Sequence, residues 1–257
     1  MRGLSPWSAL LLLCLVGLPG RATATYSPPL TRVRIDQDQL THTPSVLLAS
    51  ERHAESLLDV NLFGVGGQYV GQLEWKSGFG LQLGAALGGA SFSGQLRGAT
   101  LDASGFFAGG QARAYYMLYS GGGGERPHAL TAFVNLRALY YRGSAGGPNP
   151  IDLESFALSG GLGLMGELAV LPWVSICPYA WLTPGFSSSL DYGLGRDRFS
   201  VKSGVGLRSP FLFGVDVWIY PFGGASESHL SLSAIAALFD TSGLGSRVIS
   251  GAIGYTF

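Results

Sequence analysis

The last eight residues, Ser250-Gly-Ala-Ile-Gly-Tyr-Thr-Phe257, decide how the chain is interpreted. Two sets of side chains alternate along them: Gly251, Ile253, Tyr255 and Phe257 on one face, and Ser250, Ala252, Gly254 and Thr256 on the other. Successive side chains of a β-strand point to opposite faces of the sheet. The first face is small or bulky and apolar, whereas the second is small and partly polar. Such a strand suits a wall between lipid and a packed interior.

The chain end also resembles the C-terminal signal of bacterial outer-membrane β-barrels. Apolar residues at alternate positions, Ile253 and Tyr255, lead to a terminal aromatic residue, Phe257. The resemblance implies two partners: an assembly machinery that reads the last strand, and the outer-membrane lipid into which the barrel is inserted. The alternative for this segment alone is an edge strand that ends a soluble β-sandwich.

The N-terminus has the pattern of a secretory signal peptide. Arg2 supplies a positive start, Leu10 to Leu18 is almost wholly apolar, and Ala22-Thr23-Ala24 has the small residues of a cleavage site. The apolar run is too short to cross a membrane as a helix. We therefore predict that residues 1–24 are removed after export.

The composition favours a protein whose surface faces lipid. Charged residues make up 12% of the chain, about half the usual share of soluble domains. The mean hydropathy is +0.29, yet beyond the signal peptide no apolar run approaches the roughly 20 residues that a spanning helix needs. Charges on the lipid face of a barrel cost about 2–4 kcal/mol each at the midplane, which accounts for their scarcity. The formal net charge of +0 offers no electrostatic footprint for nucleic acid.

Period-two segments separated by turn residues recur from residue 56 to the C-terminus. They predict an all-β fold: a closed antiparallel up-and-down transmembrane β-barrel over residues 56–257, with about 10 strands and 8 as the alternative count. The first strand is predicted to begin at Leu58 and to break at Gly64–Gly67. Residues 25–55 contain prolines and most of the early charges, and they are predicted to be a periplasmic leader, with a disordered linker as the alternative.

Six charged residues fall on the faces that the alternation assigns to the barrel interior: Glu74, Arg113, Arg137, Glu167, Arg208 and Asp216. A small barrel has room only for its own side chains. We therefore predict that these three acids and three bases pair with each other inside the wall. A selective ion path is the alternative. Several rings near predicted strand ends, Tyr115, Tyr116, Tyr140, Tyr141, Trp218 and Tyr220, are predicted to form interfacial girdles.

The sequence offers weak candidates for catalysis. His229-Leu230-Ser231 resembles the His-x-Ser pair of lipid A deacylases, but no glutamate follows Glu227. Outer-membrane proteases need clustered acids with a histidine at the outer rim, and His42 and His53 fall in the predicted leader. No catalytic residue, cofactor or metal site is predicted. Cys177 is the one cysteine left after the signal peptide, so no intramolecular disulfide can form.

Taken together, residues 56–257 resemble a small bacterial outer-membrane β-barrel of the broad OmpA-like type. The resemblance implies a location in the bacterial outer membrane. The leading hypothesis for function is a non-enzymatic structural or interaction scaffold with a side-chain-filled interior. A narrow, porin-like channel for small solutes is the alternative, and a lipid-modifying enzyme is a third.

Overall fold

The structure is a computed structural model that describes residues 39–55, 58–96, 99–121, 128–146, 150–194, 197–203, 206–222, 228–237 and 247–257. The strands of these ranges are β1 (Gln39–Glu55), β2 (Leu58–Glu74), β3 (Phe79–Leu96), β4 (Ala99–Gly121), β5 (His128–Ala145), β6 (Ile151–Leu171), β7 (Val174–Leu194), β8 (Asp197–Ser203), β9 (Gly206–Ile219), β10 (His229–Ala237) and β11 (Arg247–Thr256). No helix among the described residues is long and apolar enough to cross a membrane. The predicted signal peptide lies outside the described residues.

The strands form one closed antiparallel barrel. Apart from β8 and β9, each strand pairs with its neighbour in the chain, and β1 pairs with β11 to close the sheet. β8 and β9 lie in line beside β7, which pairs with β8 through its residues 188–194 and with β9 through residues 174–185. The eleven segments therefore occupy ten strand positions around the barrel, which we call staves. Ten is the predicted number of strands. The pairing of β7 with β9 is irregular on both sides of Thr183, beside Pro184, since proline has no N–H to donate to the ladder.

The barrel begins earlier in the chain than the sequence suggested. Gln39–Glu55, assigned to a periplasmic leader, forms β1 and pairs along its whole length with β2. That part of the prediction was wrong, whereas residues 25–38 lie outside the described residues. Pro44, one of the prolines of the predicted leader, lies within β1, and its side chain faces outward. The charges of this segment lie towards the far end of the strand, beyond the apolar stretch around Val46 and Leu48.

The predicted break at Gly64–Gly67 is also absent, because Leu58–Glu74 is one continuous strand. Gly64 and Gly66 do not form a turn; they leave space for the side chain of Phe107. A Cβ atom on Gly66 would lie 2.7 Å from the Phe107 ring, and one on Gly64 would lie 3.2 Å from it. The two errors cancel in the strand count. The two strands predicted on either side of Gly64–Gly67 are the single strand β2, and β1 adds the strand that was not predicted.

We call the edge that contains both ends of the described barrel, near Gln39 and Phe257, the periplasmic edge, and the opposite edge the extracellular edge. The turns at Trp75–Gly78 and Pro172–Trp173 lie at the periplasmic edge. A tilted strand needs only about 9–11 residues to cross a bilayer. β4 has 23 residues and β6 has 21, so these strands extend well past a membrane.

A reversal of polarity along β3 marks where the membrane ends. In the periplasmic half of β3, Leu81 and Leu83 are exposed on the outer face, and Gln82 between them is buried. In the extracellular half Ser91 and Ser93 are exposed, and Phe92 between them is buried. An apolar exterior is stable against lipid, and a polar exterior is stable against water. The reversal therefore places the outer hydrocarbon boundary between Leu87 and Ser91.

The resulting apolar belt has the height expected for an outer membrane. From Phe79 to Gly89 the strand advances by ten residues of about 3.3 Å each, or about 25 Å once tilted. Rings lie on the outer face at both margins: Phe63, Phe106, Tyr140 and Phe156 above, and Trp75, Phe79, Tyr116 and Trp173 below. Interfacial aromatic girdles occupy such positions. Of the rings predicted for the girdles, Tyr115, Tyr141, Trp218 and Tyr220 are instead buried inside the barrel.

A charge should therefore have opposite consequences at two positions of β3. Leu83 is 65% exposed within the apolar belt, so Leu83→Lys should lower the free energy of unfolding by about 2–3 kcal/mol. Ser93→Lys, on the same outer face but above the belt, should change it by less than about 0.5 kcal/mol. Urea titration of both variants in phospholipid vesicles measures the difference. Equal losses would show that the belt does not end where the polarity reverses.

Candidate functional site

The periplasmic half of the barrel interior contains a set of buried polar side chains, which we call the inner polar layer. Its members are Gln72, Glu74, Gln82, Arg113, Asn135, Arg137, Glu167 and Asp216. Five of the six charged residues predicted to face the interior belong to it. The sixth, Arg208, lies in β9, and its side chain is outside the described residues.

One end of the inner polar layer is organised around Glu74. The Tyr115 hydroxyl donates a hydrogen bond to Glu74 Oε2 at 3.0 Å. The ring of Tyr115 lies over Gly80, directly opposite it on β3, where a Cβ atom would overlap the phenol ring. The glycine thus allows a large ring on β4 to reach the end of β2. This cross-strand packing fixes the orientation of the Glu74 carboxylate.

Arg113 occupies the centre of the layer. Its Nη1 atom donates to Gln82 Oε1 at 3.0 Å, and its guanidinium carbon lies 4.8 Å from the centroid of the Phe133 ring. Gln82 in turn donates from Nε2 to Gln72 Oε1 at 3.2 Å. Gln111 Nε2 also donates to Gln82 Oε1, at 3.3 Å. Amide groups therefore connect β2, β3 and β4 around one buried cation.

The acids on the other side of the barrel have different surroundings. Glu167 Oε1 accepts a hydrogen bond from the Ser175 hydroxyl at 3.1 Å. Asp216 lies opposite Cys177 on β7 and opposite Ser233 on β10. Its carboxylate interacts with the side chains of Ser233, Tyr179 and Arg113. Among the described residues, neither oxygen of Asp216 has a partner that meets hydrogen-bond geometry.

The layer holds three described carboxylates against two guanidinium groups, all of them buried. Burying charge in a low-dielectric interior is costly unless opposite charges and hydrogen bonds compensate. The electrostatic interaction of Arg113 with Asp216 crosses from β4 to β9. It links one base and one acid among the six interior charges. Their pairing as a complete six-residue network stays a prediction, since it includes Arg208.

The histidine of the deacylase-like pair lies at the periplasmic edge, inside the barrel. His229 is fully buried, and its ring centroid lies 5.0 Å from the rings of Trp218 and Tyr220. Ser231 is also buried and donates its hydroxyl proton to the carbonyl oxygen of Gly254 at 3.3 Å. Both side chains thus face the interior rather than the outer-leaflet lipid that a deacylase would attack.

Two other histidines, His42 and His53, lie in β1 and not in a leader. The backbone of His53 pairs with Val60 in the extracellular half of the barrel, so the assignment of His53 to a leader was wrong. His42 lies near the periplasmic edge of the same strand. No group of three or more His, Cys, Asp or Glu residues able to hold a metal ion occurs in the described part of the chain.

A second set of buried residues fills the extracellular half of the interior, and we call it the outer core. It consists of Leu47, Ala90, Phe92, Leu101, Ala103, Phe107, Tyr141, Ile151 and Leu153. The Tyr141 ring lies 6.4 Å from that of Phe92, nearly edge-on, and 6.0 Å from that of Phe107. The sequence analysis missed this core because its members alternate with serines and acids. The sequence signal that could have revealed this core is the reversal of polarity described above for β3, where the apolar side chains change from the outer to the inner face within one strand.

A small cavity separates the two layers. Its volume is about 40 Å³, and its lining includes Gln111 and Arg137 on the polar side and Leu47, Phe107 and Tyr141 on the apolar side. A single water needs about 10–15 Å³ by this measure, so the cavity has room for a few waters and not for a solute. From the periplasmic edge to the extracellular edge, the described interior thus changes from polar to apolar, and this small cavity lies between the two parts.

The residues assigned to the assembly signal lie on the outer wall of the closed barrel. Ile253 and Phe257 are exposed on the lipid side, and Tyr255 between them is partly buried. Ile253 lies between Val46 of β1 and Leu232 of β10. The terminal strand is therefore paired on both edges.

Comparisons with known proteins show a likeness of fold. No family model and no curated protein matches the chain. The solved structure of the outer membrane protease OmpT from Escherichia coli matches over 86% of this chain and 95% of that chain, with 10% identity and a TM-score of 0.51. The translocator domain of the autotransporter NalP from Neisseria meningitidis matches over 87% and 90%, with 10% identity and a TM-score of 0.42. A major outer membrane protein from Thermus thermophilus matches over 84% and 98%, with 12% identity and a TM-score of 0.37.

At 10% identity the likeness to the protease concerns the fold and not the activity. The narrower OmpA-like resemblance stays a prediction. The closed barrel, the apolar belt and the aromatic girdles agree with this likeness. The chain has the fold of a bacterial outer-membrane β-barrel and the surface of a protein located in that membrane.

Proposed function

We propose that the protein is a membrane-embedded scaffold whose filled interior does not conduct solutes and whose extracellular strand ends contact other molecules. The observation that carries the proposal is the stacking of two filled layers across the same strands. In β4, Arg113 belongs to the inner polar layer, and Phe107 and Leu101 belong to the outer core. A solute would have to displace both a hydrogen-bonded polar layer and a packed apolar one.

The strand ends above the belt supply the surface for such contacts. Their outer faces carry exposed polar side chains on neighbouring strands: Ser91, Ser93, Asp102, Ser104, Arg142, Asp152, Glu154 and Asp191. Strands held by a packed core present side chains more rigidly than loops do. The proposed partners within the membrane are the lipid itself and, during insertion, an assembly machinery that reads the C-terminal strand.

Planar-bilayer recording tests the proposal. We expect the purified barrel to show no conductance steps above the bilayer leak. The double variant Phe107→Ala/Tyr141→Ala removes two rings above the cavity and should open a leak, because the outer core then no longer seals the interior. Phe106→Ala is the matched control, since the neighbouring ring faces lipid. Steps from the unaltered protein would instead establish the alternative, a narrow channel for small solutes.

A catalytic role forms no part of the proposal. The lipid-modifying alternative would require His229 and Ser231 to reach a lipid. Expression in a Gram-negative host followed by mass spectrometry of lipid A tests it directly, with His229→Ala as the comparison. A mass change that depends on His229 would overturn the non-enzymatic proposal, and unchanged lipid A would agree with it.

A further inference from the structure

The seam between β1 and β11, where the barrel closes, contains several small residues on its β11 side. β1 pairs with β2 through all of Gln39–Glu55, but its ladder with β11 covers only Ser45–Arg52. Small residues of β11 lie opposite β1 at four of the eight paired positions: Gly254, Ala252, Gly251 and Ser250. Cross-strand side-chain pairs are what stabilises neighbouring strands beyond their backbone bonds. At these positions the seam therefore has little cross-strand side-chain packing beyond its backbone hydrogen bonds.

The periplasmic end of the seam is different. The His42 N–H donates to the Phe257 carbonyl oxygen at 3.0 Å, and the Phe257 N–H donates to the His42 carbonyl oxygen at 3.1 Å. On the interior side the Thr43 and Thr256 hydroxyl oxygens are hydrogen-bonded at 3.0 Å. The last residues of the chain are thus fixed to β1 by both backbone and side chain.

Three rings cover this point on the outer face. The His42 imidazole lies between Phe257 of β11 and Tyr69 of β2, with a centroid distance of 5.8 Å to each ring. The Tyr69 hydroxyl is hydrogen-bonded to His42 Nδ1. Gly71 lies directly opposite His42 on β2. A Cβ atom on Gly71 would have no atom within 4 Å, so the space beside the imidazole is open.

We propose that Tyr69, His42 and Phe257 form a clasp that holds the seam shut at its periplasmic end. The clasp joins three consecutive staves, and it ties the last residue of the chain to strands more than 180 residues earlier in the sequence. Contacts of such large separation form late, because loop closure must come first. The clasp therefore acts after β11 is in place, as a lock on the closed barrel. It does not depend on whether the barrel conducts.

Amide hydrogen exchange on the full folded barrel in detergent micelles tests the clasp, because the His42 and Phe257 amides report opening of the seam. Tyr69→Ala should accelerate exchange at both amides by about threefold to tenfold, since it removes one ring pair and one hydrogen bond. Tyr116→Ala is the matched control. Tyr116 is likewise a tyrosine on the outer face, 51% exposed against 50% for Tyr69, but it lies on β4, away from the seam.

Two further variants keep the test decisive. Tyr69→Phe retains the ring and loses only the hydrogen bond, so it should give a smaller acceleration than Tyr69→Ala even if the latter folds poorly. His42→Ala combined with Tyr69→Ala should exchange no faster at Phe257 than the faster single variant, because both belong to one contact. Equal exchange rates in Tyr69→Ala and Tyr116→Ala would overturn the clasp. Fully additive effects of His42→Ala and Tyr69→Ala would also overturn it.

Discussion

Gly88→Val should prevent the barrel from reaching its native state, or lower the free energy of unfolding by more than about 3 kcal/mol. A Cβ atom on Gly88 would overlap the carbonyl oxygen of Val65 and would lie 2.5 Å from both Gly66 Cα and Phe107 Cε1. Two of these three neighbours are backbone atoms of the paired strand, which cannot rotate away as a side chain can. Relief would require β2 and β3 to separate where their hydrogen bonds join them.

The adjacent residue is the matched control. Gly89 is on the same strand and faces outward, and a Cβ atom there would meet nothing within 4 Å. Gly89→Val should therefore be neutral within about 0.5 kcal/mol. Heat-modifiable gel mobility measures folding of both variants, and urea titration measures their stability. Similar behaviour of the two would mean that the cost lies in the loss of glycine itself rather than in the space above Gly88.

A second substitution separates the ring from the backbone. If Phe107 alone crowded the new side chain, Phe107→Ala would restore Gly88→Val completely. Because Val65 and Gly66 contribute backbone atoms, we expect only partial restoration. Full restoration would show that the wall can move and that the ring is the only obstacle.

Glycine also shows what the sequence could not reveal. A turn is formed at Ser77–Gly78, where Gly78 adopts a positive φ of 79°. Gly64–Gly67 was interpreted as such a turn, but Gly64 and Gly66 lie under Phe107 in the middle of a strand. A glycine can permit a turn or permit a close approach. The partner that distinguishes the two is about forty residues away in the chain and is not visible in local sequence.

The side of the wall that each residue faces was much easier to predict. Alternation placed Glu74, Arg113, Arg137, Glu167 and Asp216 on the inner face, and the structure buries all five side chains. Once one residue of a strand is assigned to a face, the period of two assigns the others. β1 was missed because its alternation is weak. A barrel strand usually has apolar residues on its outer face and polar residues on its inner face. In β1, the polar His42 lies on the outer face and the apolar Leu47 lies on the inner face. Both residues have partners from distant strands, in the clasp and in the outer core.

The polar half of the interior provides the second large effect. Arg113→Ala should lower the free energy of unfolding by about 3–5 kcal/mol, as removal of one member of a buried charge group does. Arg113 is 3% exposed, donates to Gln82 and interacts with Asp216. Its loss leaves Arg137 as the only described guanidinium among three buried carboxylates. Arg142→Ala is the control, because that arginine is exposed on the outer face and should cost less than about 1 kcal/mol.

The size of the arginine effect could reflect lost packing rather than charge, since the guanidinium also covers the Phe133 ring. Arg113→Met fills much of the same volume without charge, so a packing effect would largely disappear in that variant. Asp216→Asn addresses the charge itself. In the Arg113→Ala background it neutralises one carboxylate left without its cation, and it should recover part of the lost stability. Urea titration of the four proteins of this cycle yields the coupling between the two residues. A coupling near zero would mean that Arg113 stabilises the barrel through Gln82 and Phe133 alone.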